Sequence, residues 1–141
     1  MENKLANRFK FACHERDFFP APYFMDCLMT PYFPDAKIPL EVLEEGKVSR
    51  KIRAHDGGLM IVEVFFKEGA IGYEHTHPHE QICYCVEGEF TFSIKEEKFN
   101  LKAGDSMYVA GNLPHGALCL KEGRLLDIFT PQRADFLPVK P

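Results

Sequence analysis

The stretch GAIGYEHTHPHEQICYCVEG, residues 69–88, carries His75, His77 and Gln81 between two glycines, and GDSMYVAGNLPH, residues 104–115, adds His115. Side chains alternate between the faces of an extended strand, so His75 and His77 project to one side about 7 Å apart. Imidazole nitrogen binds zinc, copper, iron and nickel, and an amide oxygen is a weaker, neutral ligand. The sequence therefore indicates a metal site whose candidate ligands are His75, His77, Gln81 and His115.

The run from 75 to 81 offers more donors than one metal ion uses. Pro78 interrupts regular strand pairing, so alternation beyond it is only suggestive, and Glu80 stays open as an alternative to Gln81. For His79, a polar position at the edge of the site or a hydrogen bond to a ligand is the favoured interpretation. Three imidazoles and an amide are all neutral, which favours a Lewis-acid role of the metal over oxygen chemistry.

Length and charge exclude several classes of protein. A chain of 141 residues fits one domain, and a net charge of −4 with dispersed Lys and Arg gives no basic stripe for nucleic acid. No apolar run is long enough for a membrane span or a signal peptide, so we expect a cytoplasmic protein that binds a small molecule. Five cysteines without a CxxC pair indicate free thiols. Cys83 and Cys85 share a face with Gln81, where burial is favoured over metal binding.

Residues 1–45 differ in composition from the rest, because five prolines are interleaved with aromatic residues. Such proline density excludes a long helix or a central strand, and the aromatics are too many for a solvated tail. We expect an N-terminal arm that packs on the following domain or on a partner subunit, with a short helical turn over residues 40–45.

Residues 46–141 read as short strands separated by turns, with Phe90, Phe92 and Phe99 in the core. Glu87-Gly88 is predicted to be one of these turns. The predicted strands are 48–54, 59–67, 81–86, 89–94, 98–101, 106–109, 117–120 and 124–130. About eight strands with tight turns predict an all-β jelly-roll barrel.

A second constellation lies near the C-terminus, where Leu125, Asp127 and Phe129 share one strand face. A buried carboxylate is costly unless it has a partner or a function. If this face lines the barrel, Asp127 approaches the metal, Phe129 forms an apolar wall and Arg133 offers a fork for a carboxylate. The alternative is a structural ion pair of Asp127 with Arg53, Arg124 or Arg133.

The spacing Gly69-x5-His75-x-His77-x3-Gln81-x6-Gly88, followed by Gly104-x5-Ala110-x-Asn112-x2-His115, resembles the two conserved motifs of the cupin superfamily. Gln81 stands where cupins usually carry Glu, and Ala110 and Asn112 replace the usual Pro and Gly. The resemblance implies a double-stranded β-helix barrel over residues 46–141. It also implies a homodimer formed through the outer sheet, whose predicted apolar residues are Ile82, Tyr84, Val86, Leu126 and Ile128.

The run Asp127-x-Phe129-x3-Arg133 resembles the C-terminal signature of small cupins that linearise unsaturated uronates. The resemblance implies a metal-dependent lyase or isomerase with one divalent ion, nickel, zinc, manganese or iron, held by three His and one Gln. Asp127 would shuttle protons, Arg133 would bind the substrate carboxylate and Phe129 would line the site. Two alternatives stay open: a metal-dependent dioxygenase of the quercetinase type, and a non-catalytic cupin that binds a small ligand.

Overall fold

The computed structural model describes residues 32–138, in which eight antiparallel strands form a barrel. The strands are β1 (Glu41–Glu44), β2 (Val48–Asp56), β3 (Leu59–Phe66), β4 (Ile71–His75), β5 (Glu80–Ile94), β6 (Glu97–Lys102), β7 (Ser106–Val109) and β8 (His115–Thr130). Two short 3-10 turns, Asp35–Lys37 and Ala134–Phe136, flank them. Within residues 32–138 there is no helix with the length and apolarity of a membrane span.

Two long strands, β5 and β8, pair with each other over almost their whole length and belong to both walls of the barrel. The first half of β5 and the last half of β8 belong to one sheet, in the order β1-β2-β3-β8-β5-β7, here called sheet I. The last half of β5 and the first half of β8 belong to the other sheet, in the order β4-β8-β5-β6, here called sheet II. This arrangement confirms the predicted all-β jelly-roll.

The strands bend between the sheets at Gly88, which has a φ of +91°. A Cβ there would lie 2.6 Å from the carbonyl oxygen of Lys121, so the close approach requires glycine. The register of β5 shifts on both sides of Glu87, as it does at a β-bulge. The prediction of a turn at Glu87-Gly88 is wrong, because the bulge redirects one strand and does not end it.

Two strands of the barrel were not predicted from the sequence. β1 occupies residues for which a helical turn was expected, and Val42 pairs with Ser49 of β2. β4 lies directly before the histidine run, and Ile71 pairs with Leu118 of β8. Both are edge strands whose conformation is stabilised by a partner distant in sequence. Of the predicted arm, residues 1–31 lie outside the described part of the chain.

The core is formed by the inward faces of both sheets. Phe90 is fully buried and meets Phe66 edge to face, with ring centres 5.4 Å apart. The thiols of Cys83, Cys85 and Cys119 are buried and free, as expected for small apolar residues. Phe99, predicted to be in the core, is 36% exposed, because it lies on β6 at the edge of sheet II.

Candidate metal centre

Three histidines meet where the two sheets converge. His75 ends β4 and pairs with His115, which begins β8, while His77 lies in the loop before β5. The ring centre of His115 is 4.4 Å from that of His75 and 4.8 Å from that of His77. One ring nitrogen of each histidine lies within 4.8 Å of the others. The fold thus brings together three residues that are up to 40 positions apart in the sequence.

The hydrogen bonds of these rings fix which nitrogen faces the centre. Each Nδ1 lies next to a backbone carbonyl oxygen: that of Tyr73 for His75 (2.8 Å), of His79 for His77 (3.1 Å) and of Leu113 for His115 (2.8 Å). A carbonyl oxygen only accepts, so the tautomer with its proton on Nδ1 is the one that satisfies all three contacts. In that tautomer each Nε2 keeps a free lone pair, the form in which imidazole binds a metal.

Gln81 completes the cluster with its side-chain oxygen. Its Oε1 lies 3.1 Å from Nε2 of His77 and 3.1 Å from Nε2 of His115. Its Nε2 donates to Oδ1 of Asp127 at 2.7 Å, which fixes the orientation of the amide. Acceptor atoms that face one another repel unless a cation lies between them. Ligands held about 2.1 Å from one ion at right angles are about 3 Å apart, so the donor set fits a divalent transition metal.

Two of the rings are held in the neutral form that such a role requires. Burial, aided by the charges of Arg133 and His115, lowers the pKa of His77 to about 4. Burial also lowers the pKa of His115. At neutral pH these two Nε2 atoms hold no proton that a metal ion would have to displace.

Glu80 and His79, the two neighbours of Gln81 that could also offer a ligand atom, make other contacts. The exposed carboxylate of Glu80 accepts a hydrogen bond from the hydroxyl of Tyr108 at 2.6 Å. His79 supports His77 through its backbone oxygen, and within residues 32–138 its buried Nδ1 has no hydrogen-bond partner. The ring of His79 lies 5.5 Å from that of His77, but it is Gln81 that places an oxygen 3.1 Å from Nε2 of both His77 and His115.

Asp127 lies on the inner face of β8, opposite Cys83 of β5 and Val62 of β3. Burial raises the pKa of its carboxyl group, and hydrogen bonds with Cys83 and Gln81 oppose that shift. Arg53 and Arg124, predicted as possible partners, bind Glu63 instead. The role of the buried Glu63 was not predicted from the sequence, because its partners lie on other strands and no local pattern indicates them.

Phe129 and Arg133 lie beside the histidines. The buried ring of Phe129 meets that of His77 edge to face, with centres 5.5 Å apart. Arg133 is 9% exposed, and its guanidinium carbon is 5.3 Å from the centre of Phe129 and 4.1 Å from that of Phe136. Its Nε and Nη2 donate to the carboxylate of Asp135 at 3.0 and 2.8 Å. These contacts of Asp135 and Phe136 were not predicted from the sequence, because residues in a 3-10 turn do not follow the alternation of a strand.

Comparisons with known proteins agree with the fold. A cupin domain family model matches residues 62–129. The pectin degradation protein KdgF of Dickeya dadantii (strain 3937) is 45% identical over 111 residues, which cover 77% of this chain and 100% of that protein. An RmlC-like cupin from Shewanella frigidimarina NCIMB 400 superposes with a TM-score of 0.72 at 36% identity, covering 77% of this chain and 97% of the other. KdgF from Halomonas sp. superposes with a TM-score of 0.70 at 37% identity, covering 75% and 99%.

The fold and the histidines define the class of protein: a single-domain double-stranded β-helix with a cluster of imidazoles where its two sheets converge. The chain belongs to the cupin superfamily. Among the relatives just named it is similar to the KdgF proteins along nearly their full length.

Proposed function

We propose that this protein is a metal-dependent, non-redox enzyme that converts a 4,5-unsaturated uronate into the linear 4-deoxy-5-keto uronate. The observation that carries the proposal is the convergence of three imidazole Nε2 atoms and the Gln81 oxygen beside Asp127. The similarity to a pectin degradation protein supports the substrate class, because unsaturated uronates are products of pectin cleavage.

His75, His77, His115 and Gln81 would hold the ion, and a bound divalent cation supplies Lewis-acid polarisation of a sugar oxygen. All four ligands are neutral, so the ion keeps its full charge for that purpose. The donor set suits nickel, zinc, manganese or iron without selecting among them.

Asp127 is the proposed proton-transfer group. The reaction is an isomerisation: the anomeric hydroxyl loses its proton, the bond from C1 to the ring oxygen breaks with its electron pair going to that oxygen, and the resulting C5 enolate takes a proton at C4. An aldehyde at C1 and a ketone at C5 result, with no oxidant consumed. A buried carboxyl group whose pKa is raised suits both halves of such a transfer. Its hydrogen bond from Gln81 holds it beside the ligands.

Arg133 and Phe129 are the proposed substrate-binding residues. A guanidinium binds a carboxylate with two parallel hydrogen bonds, so Arg133 would hold the C6 carboxylate of the uronate. The buried ring of Phe129 next to His77 would form an apolar wall that excludes water.

The test uses the metal-loaded protein and unsaturated galacturonate, and follows the loss of ultraviolet absorbance from the conjugated C4=C5 bond. We expect turnover by the wild type, a loss of at least about 100-fold in kcat for Asp127→Asn, and no change for the exposed Glu97→Gln. An electrode recording oxygen in the same cell should show no consumption. Oxygen uptake coupled to loss of the substrate would instead indicate a dioxygenase, and the absence of any turnover would reject the enzymatic proposal.

We also propose that the protein forms a homodimer through the outer face of sheet I. Ile82, Tyr84 and Tyr108 on β5 and β7 are 45%, 39% and 58% exposed. Leu126 and Ile128 of β8 pair with Tyr84 and Ile82 and extend this apolar face. Sedimentation should show a dimer for the wild type and a monomer for Tyr84→Lys, whereas Tyr73→Lys, on β4 of sheet II, should stay dimeric. A monomeric wild type would reject this proposal.

A further inference from the structure

Among residues 32–138, the guanidinium of Arg133 is bound on one edge only. A guanidinium has five N–H donors, and in Arg133 Nε and Nη2 each donate one to Asp135. Within residues 32–138, Nη1 forms no hydrogen bond with another group. The edge formed by Nη1 and the second proton of Nη2 is therefore left for a second acceptor, and this is an edge that can bind a carboxylate with two hydrogen bonds.

Phe136 holds the guanidinium of Arg133 against one face of its ring. The guanidinium carbon of Arg133 is 4.1 Å from the centre of that ring, and the guanidinium carbon of Arg50 is 3.9 Å from it. Two cations this close to one ring centre occupy opposite faces, so Phe136 lies between them. Arg50 is in turn held by Glu41 at 2.7 Å. Stacking on the ring holds Arg133 in place but does not determine which N–H edge of the guanidinium faces the substrate.

Asp135 supplies the restraint that stacking lacks. Its two oxygens bind two different nitrogens of Arg133, so the guanidinium cannot rotate in its plane without breaking a charge-assisted hydrogen bond. The Asp135 side chain is 57% exposed, whereas that of Arg133 is 10% exposed. The carboxylate therefore approaches Arg133 from the solvent side, and it leaves the adjacent Nη1–Nη2 edge of the guanidinium free of Asp135.

We propose that Asp135 is a positioning residue that holds Nε and Nη2 of Arg133 and presents the Nη1–Nη2 edge to the substrate carboxylate. The inference rests on the proposed function, in which Arg133 binds that carboxylate. Asp135 acts through Arg133 and does not touch the substrate. A guanidinium already held in the binding orientation loses less conformational entropy when the substrate arrives, so the effect falls on affinity.

The experiment compares Asp135→Asn, Asp135→Glu and Glu122→Gln in the metal-loaded protein. Glu122 forms an exposed ion pair with Lys67 and serves as the matched control. Steady-state kinetics use unsaturated galacturonate, and calorimetry uses saturated galacturonate, which binds without reacting. We expect Asp135→Asn to raise KM and weaken galacturonate binding by up to about tenfold, with kcat within about twofold of the wild type. Asp135→Glu should restore most of the affinity, and Glu122→Gln should match the wild type.

Metal content, measured for each variant, separates loss of the fold from loss of positioning. If Arg133→Lys raises KM but Asp135→Asn does not, positioning by Asp135 is rejected while the proposed function stands. Tighter galacturonate binding by Asp135→Asn also rejects it, because Asp135 would then compete with the substrate for Arg133. A wild type that neither turns over the unsaturated uronate nor binds galacturonate rejects both proposals.

Discussion

Gln81 of β5 donates a hydrogen bond to Asp127 of β8 at 2.7 Å, across the two long strands that belong to both sheets. This bond turns the amide oxygen of Gln81 towards His77 and His115. One amide therefore links the proposed ligand set to the proposed proton-transfer group. A carboxylate at position 81 has no N–H group to donate to Asp127, so it would not form this link.

Replacement of Gln81 by Glu should keep the metal and lose the reaction. A carboxylate facing Asp127 at this distance places two like charges in contact, so the pair shares a proton and Asp127 no longer titrates alone. We expect kcat for the unsaturated uronate to fall at least about 100-fold, with metal content unchanged. Asn100→Asp, which adds the same charge on the exposed face of β6, is the control. Full activity of Gln81→Glu would show that the amide donor is dispensable.

Removal of His115 should abolish stabilisation by the metal. A metal ion at a hundredfold excess over its Kd stabilises the folded state by about 2.7 kcal/mol, which appears as a gap in Tm between the loaded and the chelator-treated protein. We expect His115→Ala to lose both the gap and the bound metal. His55→Ala, which removes a histidine packed against Phe33, should retain both. Equal metal content in the two variants would contradict the proposed site.

The Arg133–Asp135 pair should be visible in the titration of Asp135. Hydrogen bonds from Arg133 lower the pKa of this carboxyl group below its ordinary value of 3.8. Because the pKa is lower in the folded than in the unfolded chain, the pair stabilises the fold above pH 3.8, and this contribution is lost as the pH falls through the folded-state pKa. Carboxyl NMR should show a low pKa in the wild type and a value near the ordinary one in Arg133→Ala. An unchanged pKa in that variant would argue against the pair.

Substitution of Gly88 by Ala should disrupt the bend between the sheets. The added methyl would meet the carbonyl oxygen of Lys121 at 2.6 Å and that of Glu122 at 2.8 Å, at a φ of +91°. We expect a loss of several kcal/mol in the free energy of unfolding, measured by urea denaturation. Gly57, at a φ of +54° with open space around it, is the control, and Gly57→Ala should cost about 1 kcal/mol. Equal costs would mean that the close approach is relieved by relaxation.

Glu63 should contribute more to stability than an acid at the surface. It is 4% exposed and binds both Arg53 and Arg124 on sheet I. In Glu63→Gln two guanidinium groups lose their common partner, so we expect a loss of about 2 kcal/mol in the free energy of unfolding. Glu122→Gln, whose partner Lys67 is equally exposed, should change it by less than about 0.5 kcal/mol. If the free energies of unfolding of the two variants differ by less than the error of the fit, water replaces Glu63 as the hydrogen-bond partner of Arg53 and Arg124.

Local patterns predicted much of the fold. Strands β2, β3, β6 and β7 were predicted to within a few residues, because alternation and glycine turns are properties of neighbouring residues. The same patterns failed at Gly88, where a glycine serves a bulge and not a turn. They also failed for β1 and β4, whose conformation is stabilised by partners distant in the chain.

The sequence by itself determined the donor types, three imidazoles and an amide, and their positions in the chain. Only the tertiary structure decided that His115 meets His75 across paired strands, and how the donors are oriented. Backbone carbonyls select the imidazole nitrogen that faces the centre, and Asp127 selects the amide atom of Gln81. Likewise, a sequence that reads Arg133-Ala134-Asp135 does not reveal which guanidinium edge is free. Hydrogen bonds are directional, and their directions depend on packing between strands that are far apart in the chain.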